Sequence, residues 1–271
     1  MQSRHKWDPG QYLMFRQERT QPAVDLLARI EKTDPQAILD IGCGPGNSTA
    51  LLREKYPEAY ILGIDNSPEM IEQAQKQVQN VSFMVCDASK QLHLCGQQFD
   101  ILFSNACIQW IPNHRQLLCA MMSLLVQDGI LAVQIPMNAQ EPIHQIIKCV
   151  TQSGIWQNRF TDPRIFYQLT QSEYFDLLSK LSDNFTIWQT TYFHRLKNHE
   201  EILEWYRGTG LRPYLQQLSD AERPAFEREI FAQIKEAYPK QENGEILFRF
   251  PRFFFLAQKG GRDNEAKTDH F

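Results

Sequence analysis

A chain of 271 residues, 42% apolar and 22% charged, is long enough to bury a sizeable core, and its composition excludes disorder as the default state. A net charge of −4, with Lys and Arg scattered singly, excludes the basic footprint that nucleic-acid binding requires. No stretch approaches about 18 uninterrupted apolar residues and "MQSRHKWDPGQYLMF" lacks the apolar region of a signal peptide, so the chain reads as cytoplasmic, with no membrane partner.

Residues 1–35 read as a helical N-terminal segment, in which "PAVDLLARI" from Pro22 spaces its apolar residues at three and four, as an amphipathic helix does. Residues 36–153 alternate strand and helix. The strands are "AILDIG", "YILGID", "VSFMVCD", "FDILFSN" and "GILAVQIP", and helices begin near Asn47, Ser67, Asn113 and Glu141. Ser67 followed by Pro68 predicts an N-cap with proline in the first turn. Repeated βα units predict an α/β fold with a doubly wound, mostly parallel sheet covered by helices on both faces.

Beyond about Gly154 the pattern changes. "FTIWQTTYFHRL" (185–196) and "EILFRFPRFFFLAQK" (245–259) are β-branched and aromatic, as strands are, and Pro251 in the second predicts an edge or a bulge. Between them, residues from about 198 to 244 read as helices broken at Gly208, Gly210 and Pro213, a lid inserted between the last two strands. Residues 1–259 form one domain on this reading, and the polar tail 260–271 reads as disordered. The six cysteines contain no C-x-x-C pair and sit mostly in apolar segments, which predicts buried free thiols, no disulfide framework and no metal site.

The stretch "ILDIGCGPGNS" carries the chemistry. Gly42, Gly44 and Gly46 follow a strand and open a helix, where backbone can approach a ligand that a Cβ would obstruct. No Gly-Lys-Ser/Thr closes the turn, so it is not a phosphate loop. The third glycine comes one residue early for a dinucleotide fingerprint, and Asp40 would repel a pyrophosphate while welcoming a cationic or zwitterionic ligand. Asp65 ends the second strand, where an acid can accept both hydroxyls of a ribose, and Asp87, followed by Ala88, ends the third, within reach of an adenine amine. Helix capping is the alternative role for both acids.

This arrangement resembles the class I S-adenosylmethionine-dependent methyltransferases, whose first motif has the form of "DIGCGPG". The resemblance implies a Rossmann-like sheet of seven strands with the last antiparallel, and S-adenosylmethionine as cofactor. It implies that Gly42, Gly44 and Gly46 lie against the methionine part and ribose and that Asp65 takes the ribose hydroxyls, with Asn66 and Met70 as further cofactor-binding candidates. It implies Asp87 and Ala88 at the adenine, and Asn105, Gln109 and Trp110 of "FSNACIQW" near the sulfonium. Segments outside the cofactor motif, among them "WDPGQYLMFRQERTQP", "TTYFHRL", "TGLRPYL" and "ENGEILFRFPRFFF", resemble the trans-aconitate methyltransferase family within that class. That closer resemblance implies O-methylation of a carboxylate of a small polycarboxylic acid, with another small molecule or a carrier-bound acid as the alternative acceptor; a monomer is expected.

A carboxylate with a pKa near 4 is already ionised at neutral pH, so such a reaction needs no general base and no catalytic acid or base is assigned. Aromatic faces can attract the sulfonium, which marks Trp7, Tyr12 and Trp110, although lid or core packing serves the two tryptophans equally well. Arg19 is a candidate partner for the carboxylate of the cofactor. Spare carboxylates of the substrate call for arginine forks, and Arg212 on the lid comes first, with Arg252 and Arg207 behind it; each has solvent exposure as its alternative. His144 after the fifth strand, and Tyr192 and His194 on one face of a strand, are further substrate candidates, with ordinary packing as their alternative.

Overall fold

The computed structural model describes residues 16–161 and 166–260. Seven strands form one sheet: β1 Ala37–Ile41, β2 Tyr60–Asp65, β3 Ser82–Val85, β4 Phe99–Asn105, β5 Leu125–Pro136, β6 Asn184–Leu196 and β7 Ile246–Gln258, in the order β3-β2-β1-β4-β5-β7-β6. The first five pair in parallel and β7 runs antiparallel to β5. The helices are α1 Arg16–Ala28, α2 Asn47–Lys55, α3 Pro68–Gln77, α4 His114–Ser123, α5 Pro142–Thr151, α6 Gln171–Leu181, α7 His199–Arg207, α8 Arg212–Leu215 and α9 Arg223–Ala237.

The described residues divide into two compact units, one of Arg19–Pro136, Phe166–Thr190 and 252–260, the other of 137–161 and Thr191–Pro251. In the first, Ile38, Leu39 and Ile41 of β1 and Ile101, Leu102 and Phe103 of β4 are fully buried, as the apolar residues of central parallel strands covered on both faces are. Turn chemistry sets the helix starts: Ser67 accepts the Met70 N–H at 3.2 Å and Pro68 occupies the first turn of α3. The second unit holds an aromatic-rich core in which α5, α7 and α9 bury Ile146, Trp205, Phe226 and Ile230 against Phe248 and Phe250 of β7.

The helix Arg16–Ala28 holds Pro22 inside it and gives up one backbone hydrogen bond there. Two expectations are corrected. Pro251 lies in β7, an inner strand of the sheet and not an edge strand, one residue beyond the last rung that β7 shares with β5. Its carbonyl accepts the Met137 N–H at 3.0 Å on the rung just past the end of β5, where the absent proline N–H leaves no interior ladder bond unmade. Finally, Cys149 is exposed, because the buried stripe of α5 runs through Ile143, Ile146, Ile147 and Val150 and misses it.

Candidate active site

Within the sheet unit, the carboxyl ends of β1, β2, β4 and β5 carry the polar residues. The registers Ile41↔Ile64, Asp40↔Phe103 and Asn105↔Gln134, continued by one residue from β1, set Asp65, Gly42, Asn105 and Gln134 in one row across four strands. Paired residues in a sheet share a face, so these positions address the same side.

The glycine turn is tied down before any ligand arrives. The N–H groups of Gly42 and Cys43 both donate to the Ile64 carbonyl, at 2.8 and 2.9 Å. Gly42 has φ 74° and an added Cβ there would overlap Cys107 Sγ; at Gly46 it would press on Val78 at 2.9 Å. The protein's own packing therefore already requires glycine at these two positions. Gly44, at φ 54°, has nothing within 4 Å of an added Cβ, and it alone of the three faces open space.

Asp65 accepts the Gly44 N–H at 3.1 Å on Oδ2 and the Ser67 N–H at 2.9 Å on Oδ1, while burial pushes its carboxyl upward from the usual range. Each oxygen keeps a lone pair for a further donor. Asp40 is fully buried; its Oδ2 accepts the hydroxyls of Ser48 at 2.7 Å and Thr49 at 2.6 Å, and desolvation raises its pKa to about 6 despite both bonds. Its Oδ1 has no hydrogen-bond partner among the described residues, and neither do the buried Oδ1 of Asn105 and Oε1 of Gln109.

Just after β4 the backbone departs from the ordinary. Ala106 takes φ 53°, a left-handed conformation that costs an alanine about 1–2 kcal/mol, and its carbonyl accepts the Gln109 amide N–H at 2.7 Å. Trp110 is exposed and packs on Phe166, ring centroids 4.8 Å apart. Asp87 holds a turn, its Oδ1 accepting the Ser89 N–H at 2.9 Å and hydroxyl at 2.5 Å; Ala88 beside it is half-buried. Asn66 is exposed, whereas Met70 is buried on α3. Tyr12 and Trp7 lie outside the described residues, as do residues 261–271 and the side chain of Arg19.

The helical unit brings together other candidates. His144 Nε2 lies 3.1 Å from the Tyr206 hydroxyl, the two rings edge to face at 5.4 Å. His194 is buried among Trp205, Phe248 and Phe250, and Tyr192, two residues earlier on the same face of β6, packs against that aromatic core. Arg212 opens α8, half-buried. Arg207 is engaged with two acids of its own unit: its fork grips Glu227 at 2.7 and 2.9 Å and it also pairs with Glu204.

Arg252 belongs to the sheet unit and is 5% exposed, with Nη1 directed at Gln134 Oε1 at 3.5 Å. Gln134 escaped the sequence reading. Its one signal was a lone polar residue in the apolar run "LAVQIP" of a central strand. His114 was also missed; it is buried with Nδ1 2.5 Å from the Tyr174 hydroxyl and Nε2 2.8 Å from the Ile108 carbonyl, and burial depresses its pKa.

Three unfilled buried acceptors beside an open glycine turn fit a ligand that brings several donors and positive charge, as the ammonium and sulfonium of S-adenosylmethionine do. Among the described residues no cluster of His, Cys, Asp or Glu suits a metal ion.

Comparison with known proteins shows the family. A methyltransferase-domain family model matches residues 32–203. The chain is 42% identical over 255 residues to the trans-aconitate 2-methyltransferase of an Enterobacter species, covering 93% of this chain and 98% of that one. It is 40% identical over 253 residues to the protein of that name from Escherichia coli, with the same coverage. Among solved structures it is similar to the YcgJ protein of Bacillus subtilis, with a TM-score of 0.57, 18% identity, and 90% of this chain and 99% of that one covered.

Proposed function

The chain belongs to the S-adenosylmethionine-dependent methyltransferases, in the trans-aconitate 2-methyltransferase family, and from this premise we propose that it forms a monomethyl ester on one carboxylate of trans-aconitate or a closely similar polycarboxylic acid. The observation that carries the cofactor reading is the set of three buried oxygens, on Asp40, Asn105 and Gln109, that have no donor among the described residues.

When bound, S-adenosylmethionine supplies a methyl group on a cationic sulfur, open to in-line displacement by a nucleophile. The residues of this chain hold and orient. Asp65 would accept the ribose hydroxyls, its free lone pairs being fixed in direction by the Gly44 and Ser67 N–H groups, with Asn66 and Met70 alongside. Asp40 Oδ1, Asn105 and Gln109 would accept from the ammonium and lie toward positive charge, with the Trp110 face as a further cation partner. Asp87 and Ala88 would serve the adenine. We assign Tyr12 and Arg19 to the cofactor as well.

No base is needed, because the substrate carboxylate is ionised at neutral pH. What the protein must do is align that oxygen and strip water from it, which raises its nucleophilicity and lets the opposite charges cancel on transfer. We assign the spare carboxylates to Arg252, Arg212, His144, Tyr192 and His194. The same reading has the protein act as a cytoplasmic monomer.

A panel of mono-, di- and tricarboxylic acids offered with methyl-labelled S-adenosylmethionine tests the proposal. Label should enter trans-aconitate as a base-labile ester. Transfer to no acid in the panel would remove it.

A further inference from the structure

Within the sheet unit, the turn that follows β4 is held in place by an imidazole. This 3-10 turn, Ile108–Trp110, carries Gln109, whose buried Oε1 has no hydrogen-bond partner among the described residues. The Gln109 amide donates to the Ala106 carbonyl at 2.7 Å, so the direction of Oε1 follows the backbone of the turn. The Ile108 carbonyl fixes that backbone: one lone pair accepts the Ile111 N–H at 2.9 Å, and the other meets His114 Nε2 at 2.8 Å. A carbonyl only accepts, so Nε2 carries the proton. Burial, and a place at the first residue of α4 beside the positive end of the helix, keep the ring neutral. Nδ1 is then an acceptor, and the Tyr174 hydroxyl donates to it at 2.5 Å. Residues 166–170 cover the same turn: the Tyr167 N–H donates to the Gln109 carbonyl at 2.9 Å, Phe166 packs on Trp110, and the Leu169 N–H donates to the Tyr174 hydroxyl. His114 thus joins the turn to α6, and Tyr174 joins both to the segment above it.

We propose that His114 is a positioning residue for the cofactor, whose Nε2–H holds the Ile108 carbonyl and thereby aims Gln109 Oε1 and the Trp110 ring at the sulfonium end of S-adenosylmethionine. This rests on the assignment of Gln109 and Trp110 to the cofactor given above. The left-handed φ of 53° at Ala106 is a conformation that persists only where the surroundings over-determine it, and the imidazole donor is one of those constraints. A neutral donor suits the position. Lysine or arginine would set a buried charge beside the positive end of α4, and phenylalanine would leave a lone pair of the Ile108 carbonyl unmet.

Calorimetric binding of S-adenosylmethionine and of S-adenosylhomocysteine to the full-length enzyme at pH 7.5 provides the test. His114→Phe should weaken S-adenosylmethionine binding at least tenfold and S-adenosylhomocysteine binding at least threefold less than that, because only the first ligand carries the sulfonium. His114→Gln, which can return an N–H to the Ile108 carbonyl, should recover affinity to within threefold of wild type. Tyr174→Phe removes a bond from the same ring but keeps the donor on Ile108, so both affinities should stay within twofold. If His114→Phe fails to fold, His114→Asn, whose shorter amide cannot reach Ile108, replaces it and should bind S-adenosylmethionine at least tenfold more weakly than His114→Gln. Unchanged affinity in a folded His114→Phe, or equal affinity in the asparagine and glutamine variants, would overturn the proposal. So would an equal loss for the two ligands, or a like loss in Tyr174→Phe, because a merely structural residue produces that pattern. Gln109→Leu tests the reading beneath it: unchanged S-adenosylmethionine affinity there would overturn the assignment of Gln109 to the cofactor, and this inference with it.

Discussion

The carboxylate of Asp65 holds the N–H of Gly44 at 3.1 Å, so the acid at the tip of β2 fixes the one glycine of the turn that faces open space. Asp65→Ala removes that anchor together with the proposed ribose acceptor, and should weaken S-adenosylhomocysteine binding at least tenfold, about 1.4 kcal/mol, by calorimetry. Asp65→Asn keeps one acceptor for Gly44 and should fall between the two. Unchanged affinity in both variants would remove the ribose assignment.

The glycines should separate packing from binding. Gly42→Ala drives a Cβ into Cys107 at a positive φ and should destabilise the fold by about 2–3 kcal/mol in urea unfolding. Gly44→Ala meets no atom, so its stability cost should stay near 1 kcal/mol while cofactor affinity falls, because the new methyl intrudes on the open side. Equal loss of binding at equal stability in both variants would contradict this division.

Asp40 gives a pH signature. Its pKa is raised to about 6 in the folded protein, so between about pH 4 and 6 the native state holds a proton that the unfolded chain has released, and this residue's contribution to stability declines as pH rises through that window. A cationic ligand favours the ionised form. Affinity for S-adenosylmethionine should therefore climb from pH 5 to 7 with proton release, detectable as a buffer-dependent heat, and Asp40→Asn should lose both effects. A release that persists in Asp40→Asn would place the titrating group elsewhere.

His114 acts with the opposite sign. Burial lowers its pKa, so the stability it contributes is present above about pH 6.5 and is lost as pH falls and the unfolded chain takes up the proton. Its bond to Tyr174 should be worth about 1 kcal/mol, which Tyr174→Phe measures by denaturation at pH 7.5 with little effect on KM.

Arg212→Ala should raise KM for trans-aconitate several-fold and leave S-adenosylhomocysteine affinity alone. If the constant does not move, this arginine has no part in holding substrate.

Much of the sheet was legible because each cue is local. Alternating apolar runs and helical spacing gave β1 to β5, Ser67-Pro68 gave the start of α3, and the period of two put Tyr192 and His194 on one face. Residues whose meaning depends on a distant partner were not legible. That packing also requires a glycine at 42 shows only once Cys107, 65 positions along, is seen to fill the space beside it. Arg252 reads as a solvated strand arginine until β5 supplies Gln134, 118 positions away. Pro251 reads as an edge residue because nothing in its neighbourhood reveals that β5 stops one rung short. The engagement of Arg207 with Glu227 is a helix-to-helix contact that spacing alone does not report.

A crystal structure of the full chain with S-adenosylhomocysteine bears most directly on the central reading. The ribose hydroxyls are expected on the Asp65 carboxylate, and the amino group within hydrogen-bond reach of Asp40 Oδ1 or Asn105 Oδ1. A ligand bound elsewhere, or one whose ribose turns away from Asp65 while those buried oxygens stay unfilled, would contradict it.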